Sequence, residues 1–250
     1  MDFVSVQMNE GIARVALNRG KVNAINEKVV DELTDCFRAL SYDPGVRAVI
    51  LTGQGKFFTF GFDIPEFLSY TKEAFVRYLT KFTGLYTDIF LYPKPFVAAL
   101  NGHTIAGGCM LAIACDYRIM VPGKARISLN EINFSSSVFA GSVEMMKLLL
   151  GQRQAEAALL SGAMYSAEEA LQLGLIDRIA AEADLENEAM ANAREFSAQD
   201  SAAFRSIKLL LRRPVAEQMM KTEKASILEF VDIWYSEKTW KGLQDKVIRA

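Results

Sequence analysis

The side chain in this 250-residue sequence that is best suited to proton chemistry is Glu131, which ends the short strand-like stretch Ser128-Leu129-Asn130-Glu131. A positioned carboxylate can take a proton from one atom and return it to another. Gly107 and Gly108 stand where an apolar helix would begin, and free amides at a helix N-terminus can stabilise an oxyanion. Each feature alone also fits ordinary structure, namely a solvated loop carboxylate and close packing of a helix.

The chain lacks the residues that several other catalytic centres need. Its single histidine, His103, excludes a zinc site built from two or more histidines of one chain. His103 follows a predicted strand, and no GxSxG serine is present to complete a triad with it, so we interpret it as a hydrogen-bonded turn residue. The three cysteines have no CxxC spacing, which is typical of reduced, structural cysteines in the cytosol.

The elements around these residues alternate between strands and helices. A period of two predicts a hairpin of strands 4–8 and Ile12–Leu17. Continuous apolar runs predict buried strands at 48–51, Phe96–Leu100 and Tyr117–Met120. Helical spacing predicts helices after an N-cap at Asn26, over Lys72–Phe90 and over Gly107–Ala114. This order of elements is typical of α/β units stacked in series.

The second half of the chain is mostly helical in pattern. We predict one strand at 176–179 and helices at 142–150, 153–161, Ala167–Leu173, 185–196, 201–211 and 215–234. No linker rich in Pro, Gly or Ser separates independent domains, so we expect a core at 1–195 and a C-terminal helical region at 196–250. The apolar residues at 219–220 and 230–234 fit either core packing or a subunit interface.

Composition narrows the class of partner. Apolar residues make up 51% of the chain, and 28 basic against 30 acidic residues give a net charge of -2. This balance argues against a general nucleic-acid binder but allows a local site for one anionic ligand. The N-terminal segment lacks the basic region of a signal peptide, and no apolar run reaches the ~18 residues of a membrane span. We therefore predict a cytoplasmic protein with no membrane or nucleic-acid partner.

A set of short motifs, in order and spacing, resembles the crotonase (enoyl-CoA hydratase/isomerase) superfamily over nearly the whole chain. A polar turn follows an early strand, a G-x-D segment follows the third strand, and a turn at 101–108 ends in two glycines. A C-D-x-R strand, a carboxylate and a G-L-I-D segment come later. In this sequence the pieces are Val22-Asn23-Ala24, Gly61-Phe62-Asp63, Gly107-Gly108, Cys115-Asp116-Tyr117-Arg118, Glu131 and Gly174-Leu175-Ile176-Asp177.

The resemblance implies a fold, a class of substrate and a set of site residues. The fold is α/β, a spiral of repeated ββα units with a helical C-terminal region that forms homotrimers or hexamers. The substrate is an acyl-CoA thioester, with no metal and no cofactor beyond the coenzyme A of the substrate. The amides of Phe62 and Gly107 form an oxyanion hole, and Glu131 is the acid/base. Residues that contact the substrate are, by position, Lys21, Val22, Ala24, Phe60, Gly61, Phe62, Asp63, Ile64, Gly107 and Asn130.

Two departures from the family pattern affect the predicted reaction. Hydratases of the family place two glutamates around one water, and this chain has Met110 in place of the first. Hydration needs both a base and an acid, and methionine is neither. In addition, Phe60 and Phe62 replace residues that are usually small, which could narrow the entrance or shift substrate choice.

The segments around Arg118 and Glu131 are most similar to those of 3,2-enoyl-CoA isomerases. The sequence therefore predicts an isomerase that moves the double bond of 3-enoyl-CoA to the 2-position through one glutamate. Enoyl-CoA hydratase-like or other crotonase chemistry, and a non-catalytic homologue that binds CoA thioesters, remain as alternatives.

Overall fold

The computed structural model describes residues 1–247, with side chains as far as residue 244. Its nine described strands are β1 (Val4–Asn9), β2 (Ile12–Leu17), β3 (Ala48–Gly53), β4 (Phe57–Thr59), β5 (Phe96–Leu100), β6 (His103–Ile105), β7 (Tyr117–Met120), β8 (Ile127–Ser128) and β9 (Arg178–Ile179). The helices α1 to α10 are Glu27–Tyr42, Ile64–Phe67, Lys72–Phe90, Gly107–Ala114, Ala140–Leu150, Gln152–Ser161, Ala167–Leu173, Leu185–Ser197, Ser201–Trp234 and Glu237–Val247, and Glu131–Phe134 forms a 3-10 helix.

The strands form two sheets, and the chain winds between them as a spiral. The larger sheet has the order β1-β2-β3-β5-β7-β9, and the smaller sheet has the order β4-β6-β8. Except for the β1–β2 hairpin, every neighbouring pair is parallel. The β1–β2 hairpin lies wholly in the larger sheet, and the pairs β3/β4, β5/β6 and β7/β8 each give one strand to each sheet before the chain continues into a helix or helical turn. The predicted spiral of ββα units is therefore confirmed.

Local sequence accounts for the helix starts that matter for the site. The Asn26 side chain accepts a hydrogen bond from the amide of Val29, as expected of an N-cap. Asp63 caps α2 in the same way by accepting from the amide of Glu66 at 3.1 Å. Helix α4 is buried along its whole length, because it packs against α3, α5 and strands β4 and β6, and its residues are all small or apolar. These elements hold the turns on which the site residues lie.

Three expectations about local structure are wrong. His103 is not a hydrogen-bonded turn residue, because it begins β6 and its Nδ1 atom has no hydrogen-bond partner among the described residues. The helices predicted at 201–211 and 215–234 form one helix, α9, with Pro214 inside it. Pro214 is exposed, so the carbonyl that its ring leaves unpaired lies on the solvent side, where water can satisfy it. Glu131 does not end a strand, since β8 stops at Ser128, where its pairing with β6 ends, and Glu131 begins the 3-10 helix.

The C-terminal helices pack against the same chain. Lys208 and Arg212 on α9 contact the Asp116 carboxylate at 2.8 and 3.1 Å, just beyond the C-terminal end of α4. Further along, Phe230 and Trp234 are buried, so the core-packing alternative is confirmed for them. Trimerisation by the region 196–250 stays a prediction, and residues 248–250 of that region lie outside the described part. In the described part, no helix is both apolar enough and long enough to cross a membrane.

Candidate active site

The first element of the candidate site is the backbone amide of Phe62. Ile25 and Phe62 form a parallel bridge in which the Ile25 amide donates to the Gly61 carbonyl at 2.8 Å and the Asp63 amide donates to the Ile25 carbonyl at 3.1 Å. In a parallel pair, the amide of the residue between two such bonds points away from the partner strand. The Phe62 amide is therefore directed away from Ile25 and is available to an external acceptor.

The second amide belongs to Gly107, the first residue of α4. An amide in the first turn of a helix has no intrahelical acceptor and lies at the positive end of the helix dipole. The residue before it, Ala106, has φ 51° and ψ -119°, a conformation that L-residues rarely adopt. This strained residue turns the chain sharply from β6 into α4, and the turn exposes the amide of Gly107.

Gly61 allows these two segments to approach each other. It has φ +91°, and a Cβ atom on it would lie 2.9 Å from the Ile105 carbonyl oxygen and 3.3 Å from the Gly107 nitrogen. A side chain at residue 61 would therefore push the segments apart. The predicted oxyanion residues Phe62 and Gly107 are brought together, and two amides so arranged can hold the oxygen of a polarised carbonyl.

Glu131 lies close to these segments and is almost fully buried, with 8% of its surface exposed. Its Oε2 atom has no hydrogen-bond partner among the described residues. Burial raises the pKa of Glu131 to about 8, and a hydrogen bond from its own backbone amide offsets only part of that effect. A carboxyl with this pKa can both accept and return a proton near neutral pH.

A cavity of about 100 Å³ contains Glu131 in its wall. It brings together five of the predicted residues, Phe60, Phe62, Ile64, Asn130 and Glu131, with Ala106 next to the predicted Gly107. Glu131 is the one carboxylate among the described residues of this wall, and the other side chains are mostly apolar. Such a cavity can hold an apolar group beside a single carboxylate.

The two unusual phenylalanines have different surroundings. Phe62 packs edge-on against Tyr78 and Phe82 of α3, with ring centroids 5.4 and 4.8 Å apart. A Cβ atom on Gly107 would lie 2.9 Å from the Phe62 ring, so this ring covers the start of α4. Phe60 is 47% exposed and stands at the rim, beside His103. Both rings therefore shape the cavity, one as its floor and the other at its edge.

The predicted CoA-binding turn lies beside the cavity and is fixed by Asn23. This residue is buried with φ 50°, and its amide group donates to the carbonyls of Gln54 and Phe57. The turn is also tied to β4, because the Phe60 amide donates to the Val22 carbonyl at 3.0 Å. Of the predicted residues here, Val22 and Ala24 are partly buried, and Lys21 is exposed.

The Asp63 carboxylate faces the protein rather than the cavity. Besides capping α2, it pairs with Arg19 at 2.6 Å. Arg19 also donates to the Ala24 carbonyl at 3.0 Å, and so connects the predicted CoA-binding turn to the segment that carries the Phe62 amide. Asp63 therefore stabilises the positions of the Ala24 and Phe62 segments through Arg19 and α2, without contacting the cavity itself.

The sequence analysis missed the part of the cavity wall that comes from distant residues. Phe230 and Trp234 lie on α9, and Leu243 lies on α10. The apolar pattern at 230–234 indicated burial but not which surface these residues cover. Met110, the residue that stands in place of a second glutamate, is fully buried in α4 and lies outside the cavity wall.

Comparisons with known proteins agree with this geometry. The sequence model of the family described as Enoyl-CoA hydratase/isomerase matches residues 7–247. The chain belongs to that family, within the crotonase superfamily. The family includes hydratases and isomerases, so membership alone leaves the choice between these two reactions open.

Individual relatives carry both kinds of name. A Thermus thermophilus protein, provisionally named an enoyl-CoA hydratase, is 36% identical over 82% of this chain and 83% of its own length. The mouse protein named Enoyl-CoA delta isomerase 1, mitochondrial, is 28% identical over 96% of this chain and 84% of its own. The crystal structure of human mitochondrial delta3-delta2-enoyl-CoA isomerase matches with a TM-score of 0.94 at 26% identity, covering 99% of this chain and 97% of that one.

Proposed function

We propose that this enzyme converts 3-enoyl-CoA into 2-enoyl-CoA with Glu131 as the single acid/base. The observation that carries the proposal is that Glu131 is the one carboxylate in the described wall of the cavity, buried and with its pKa raised to about 8. Met110 supports it, because a buried thioether can neither activate water nor protonate carbon. The names of the mouse and human relatives are consistent with isomerisation.

The reaction needs only the groups described above. Glu131 removes a proton from C2, whose acidity comes from the thioester carbonyl and the C3–C4 double bond. The electron pair moves into the dienolate, whose oxygen accepts hydrogen bonds from the amides of Phe62 and Gly107. Glu131 then returns the proton to C4, so the double bond ends between C2 and C3 and the carboxylate is regenerated.

The CoA part of the substrate has a place in the same proposal. The turn with Lys21, Val22 and Ala24 does not line the cavity but is bonded to Phe60 at its rim, and its exposed lysine can meet the CoA phosphates. In this arrangement Ile64 contacts the pantetheine arm and Asn130 contacts the acyl group. The proposal also holds that the protein is a homotrimer or hexamer in the cytoplasm and that it needs no metal or further cofactor. Sedimentation analysis of the purified protein tests the assembly.

The experiment follows the products from 3-hexenoyl-CoA and from 2-hexenoyl-CoA with the wild type and Glu131→Gln. Glu144→Gln is the matched control, because Glu144 pairs with Lys147 at 2.8 Å and lies outside the cavity wall. The proposal expects isomerisation that Glu131→Gln abolishes and Glu144→Gln retains. Rapid hydration of 2-hexenoyl-CoA would favour the hydratase alternative, and binding without any turnover would favour a non-catalytic homologue.

A further inference from the structure

The last described helix, α10, packs on the part of the chain that carries Glu131. It contacts the 3-10 helix Glu131–Phe134 as well as α2 and α9. Thr239, near the start of α10, is buried with 2% of its surface exposed, and its hydroxyl donates to the Ser135 carbonyl at 2.6 Å. A helix 104 residues away in sequence is therefore bonded directly to the residue that ends the turn of Glu131.

Ser135 has a backbone conformation that serine rarely adopts. It follows the 3-10 helix with φ 56° and ψ 33°, in the left-handed region. Its amide donates to the Ile132 carbonyl at 3.0 Å, and the amide of Ser136 donates to the Glu131 carbonyl at 3.1 Å. A strained conformation persists only where its surroundings hold it. The bond from Thr239 supplies such a contact from outside the turn.

Helix α10 also forms part of the wall around Glu131. Leu243 lies one turn after Thr239 on the same face of the helix, lines the cavity and is buried. The chain just before α10 is held by a second bond, since the Tyr235 hydroxyl donates to the Tyr70 carbonyl at 2.6 Å. The position of α10 on the 3-10 helix therefore covers one side of the cavity and helps to exclude water from it.

Exclusion of water, rather than a neighbouring charge, controls the protonation of Glu131. Burial raises its pKa, and a hydrogen bond from its own amide opposes this effect. Helices α6 and α10 pack against the 3-10 helix, and their described charged residues are all exposed, namely Arg153 and Glu156 on α6 and Glu237, Lys238 and Lys241 on α10. No other described residue of the cavity wall is charged. The pKa of Glu131 therefore reports how well its surroundings exclude water.

We infer that Thr239 is a positioning residue for the acid/base: its hydrogen bond to Ser135 keeps α10 on the 3-10 helix and holds Glu131 in a dry cavity. Thr239 does not line the cavity, so it acts through the turn and not on the substrate. This inference rests on the proposed function for the role of Glu131. The protonation of that carboxyl can nevertheless be followed without turnover, so the two proposals can fail separately.

The test measures the protonation of Glu131 by infrared titration, in which Glu131→Gln identifies the carboxyl band. Wild-type protein is expected to titrate near pH 8. Thr239→Val keeps the shape of threonine but donates no hydrogen bond, so water should reach the carboxyl and lower the midpoint to about pH 7 or below. Thr239→Ser keeps the hydroxyl and should titrate as the wild type does. Thr222→Val is the matched control, because Thr222 is exposed and its hydroxyl bonds within α9, to the Gln218 carbonyl at 3.4 Å.

The rate of 3-hexenoyl-CoA isomerisation gives a second readout. Because a small displacement of the acid/base is costly, kcat should fall at least about tenfold in Thr239→Val and less than about threefold in Thr239→Ser. If urea titration shows that Thr239→Val does not fold, Thr239→Ala replaces it under the same expectations.

An unchanged titration or an unchanged kcat in Thr239→Val would overturn the inference, and so would the same losses in Thr239→Ser. A wild type that isomerises nothing, while its titration shifts in Thr239→Val as expected, contradicts the proposed function and not the positioning of Glu131 by Thr239.

Discussion

Glu131→Gln is expected to abolish isomerisation and, at alkaline pH, to stabilise the fold. Burial raises the pKa of the Glu131 carboxyl from 4.5 to about 8. Between these two values the folded state keeps a proton that the unfolded state has released, so stability falls as pH rises through this window. Each pKa unit corresponds to ~1.4 kcal/mol, so ionised Glu131 costs the folded state up to roughly 5 kcal/mol above pH 8. Glutamine has no charge to desolvate and avoids this cost.

Urea unfolding of both proteins near pH 5 and near pH 9 measures the effect. We expect the two free energies of unfolding to be within ~1 kcal/mol of each other at the lower pH. At the higher pH the variant should be more stable by roughly 3 to 5 kcal/mol. Glu144→Gln serves as the control and should show no such dependence on pH. A difference between Glu131→Gln and the wild type that is the same at both pH values would refute the argument that Glu131 is buried and protonated.

Three further predictions concern activity and the docking of α9. Because the base must be ionised, kcat/KM for 3-hexenoyl-CoA should rise with pH and level off above about pH 8, and a flat profile from about pH 6 upwards would contradict the assignment of Glu131. Gly61→Ala, whose Cβ would meet the Ile105 carbonyl at 2.9 Å, should lower kcat by ~10²–10³-fold through the oxyanion hole. Gly55→Ala, also at a positive φ but with no close neighbour, should retain activity, and equal losses in both variants would point to general strain. Asp116→Asn should destabilise the fold by ~3–5 kcal/mol in urea titrations, because it leaves the buried Lys208 cation without its counter-charge, and a loss below ~1 kcal/mol would count against this ion pair.

Those parts of the fold that depend on neighbouring residues were predictable from the sequence. The helices Lys72–Phe90 and Gly107–Ala114 have the predicted bounds, because their apolar spacing and their ends are local features. The N-cap Asn26 forms for the same reason. Pro214 shows the limit of such reasoning, since the effect of a proline on a helix depends on whether the carbonyl it leaves unpaired faces water.

The residues of the candidate site that belong to a sequence motif were predictable, and those contributed by helices distant in sequence were not. The segments of Phe62, Gly107 and Glu131 were recognised by their order and spacing. Phe230 and Trp234 were not, because they reach the cavity through the packing of α9. Burial raises the pKa of Glu131, and the extent of that burial is a property of the folded structure rather than of a local motif.

The most direct test of the account follows one hydrogen atom through the reaction. 3-Hexenoyl-CoA carrying deuterium at C2 is converted in ordinary water, and the product is analysed by NMR after a few turnovers. If Glu131 alone carries the proton, part of the deuterium should appear at C4 of 2-hexenoyl-CoA, and Glu131→Gln should form no product. Product whose C4 contains only solvent hydrogen, formed equally fast by Glu131→Gln, would contradict a single-glutamate isomerase.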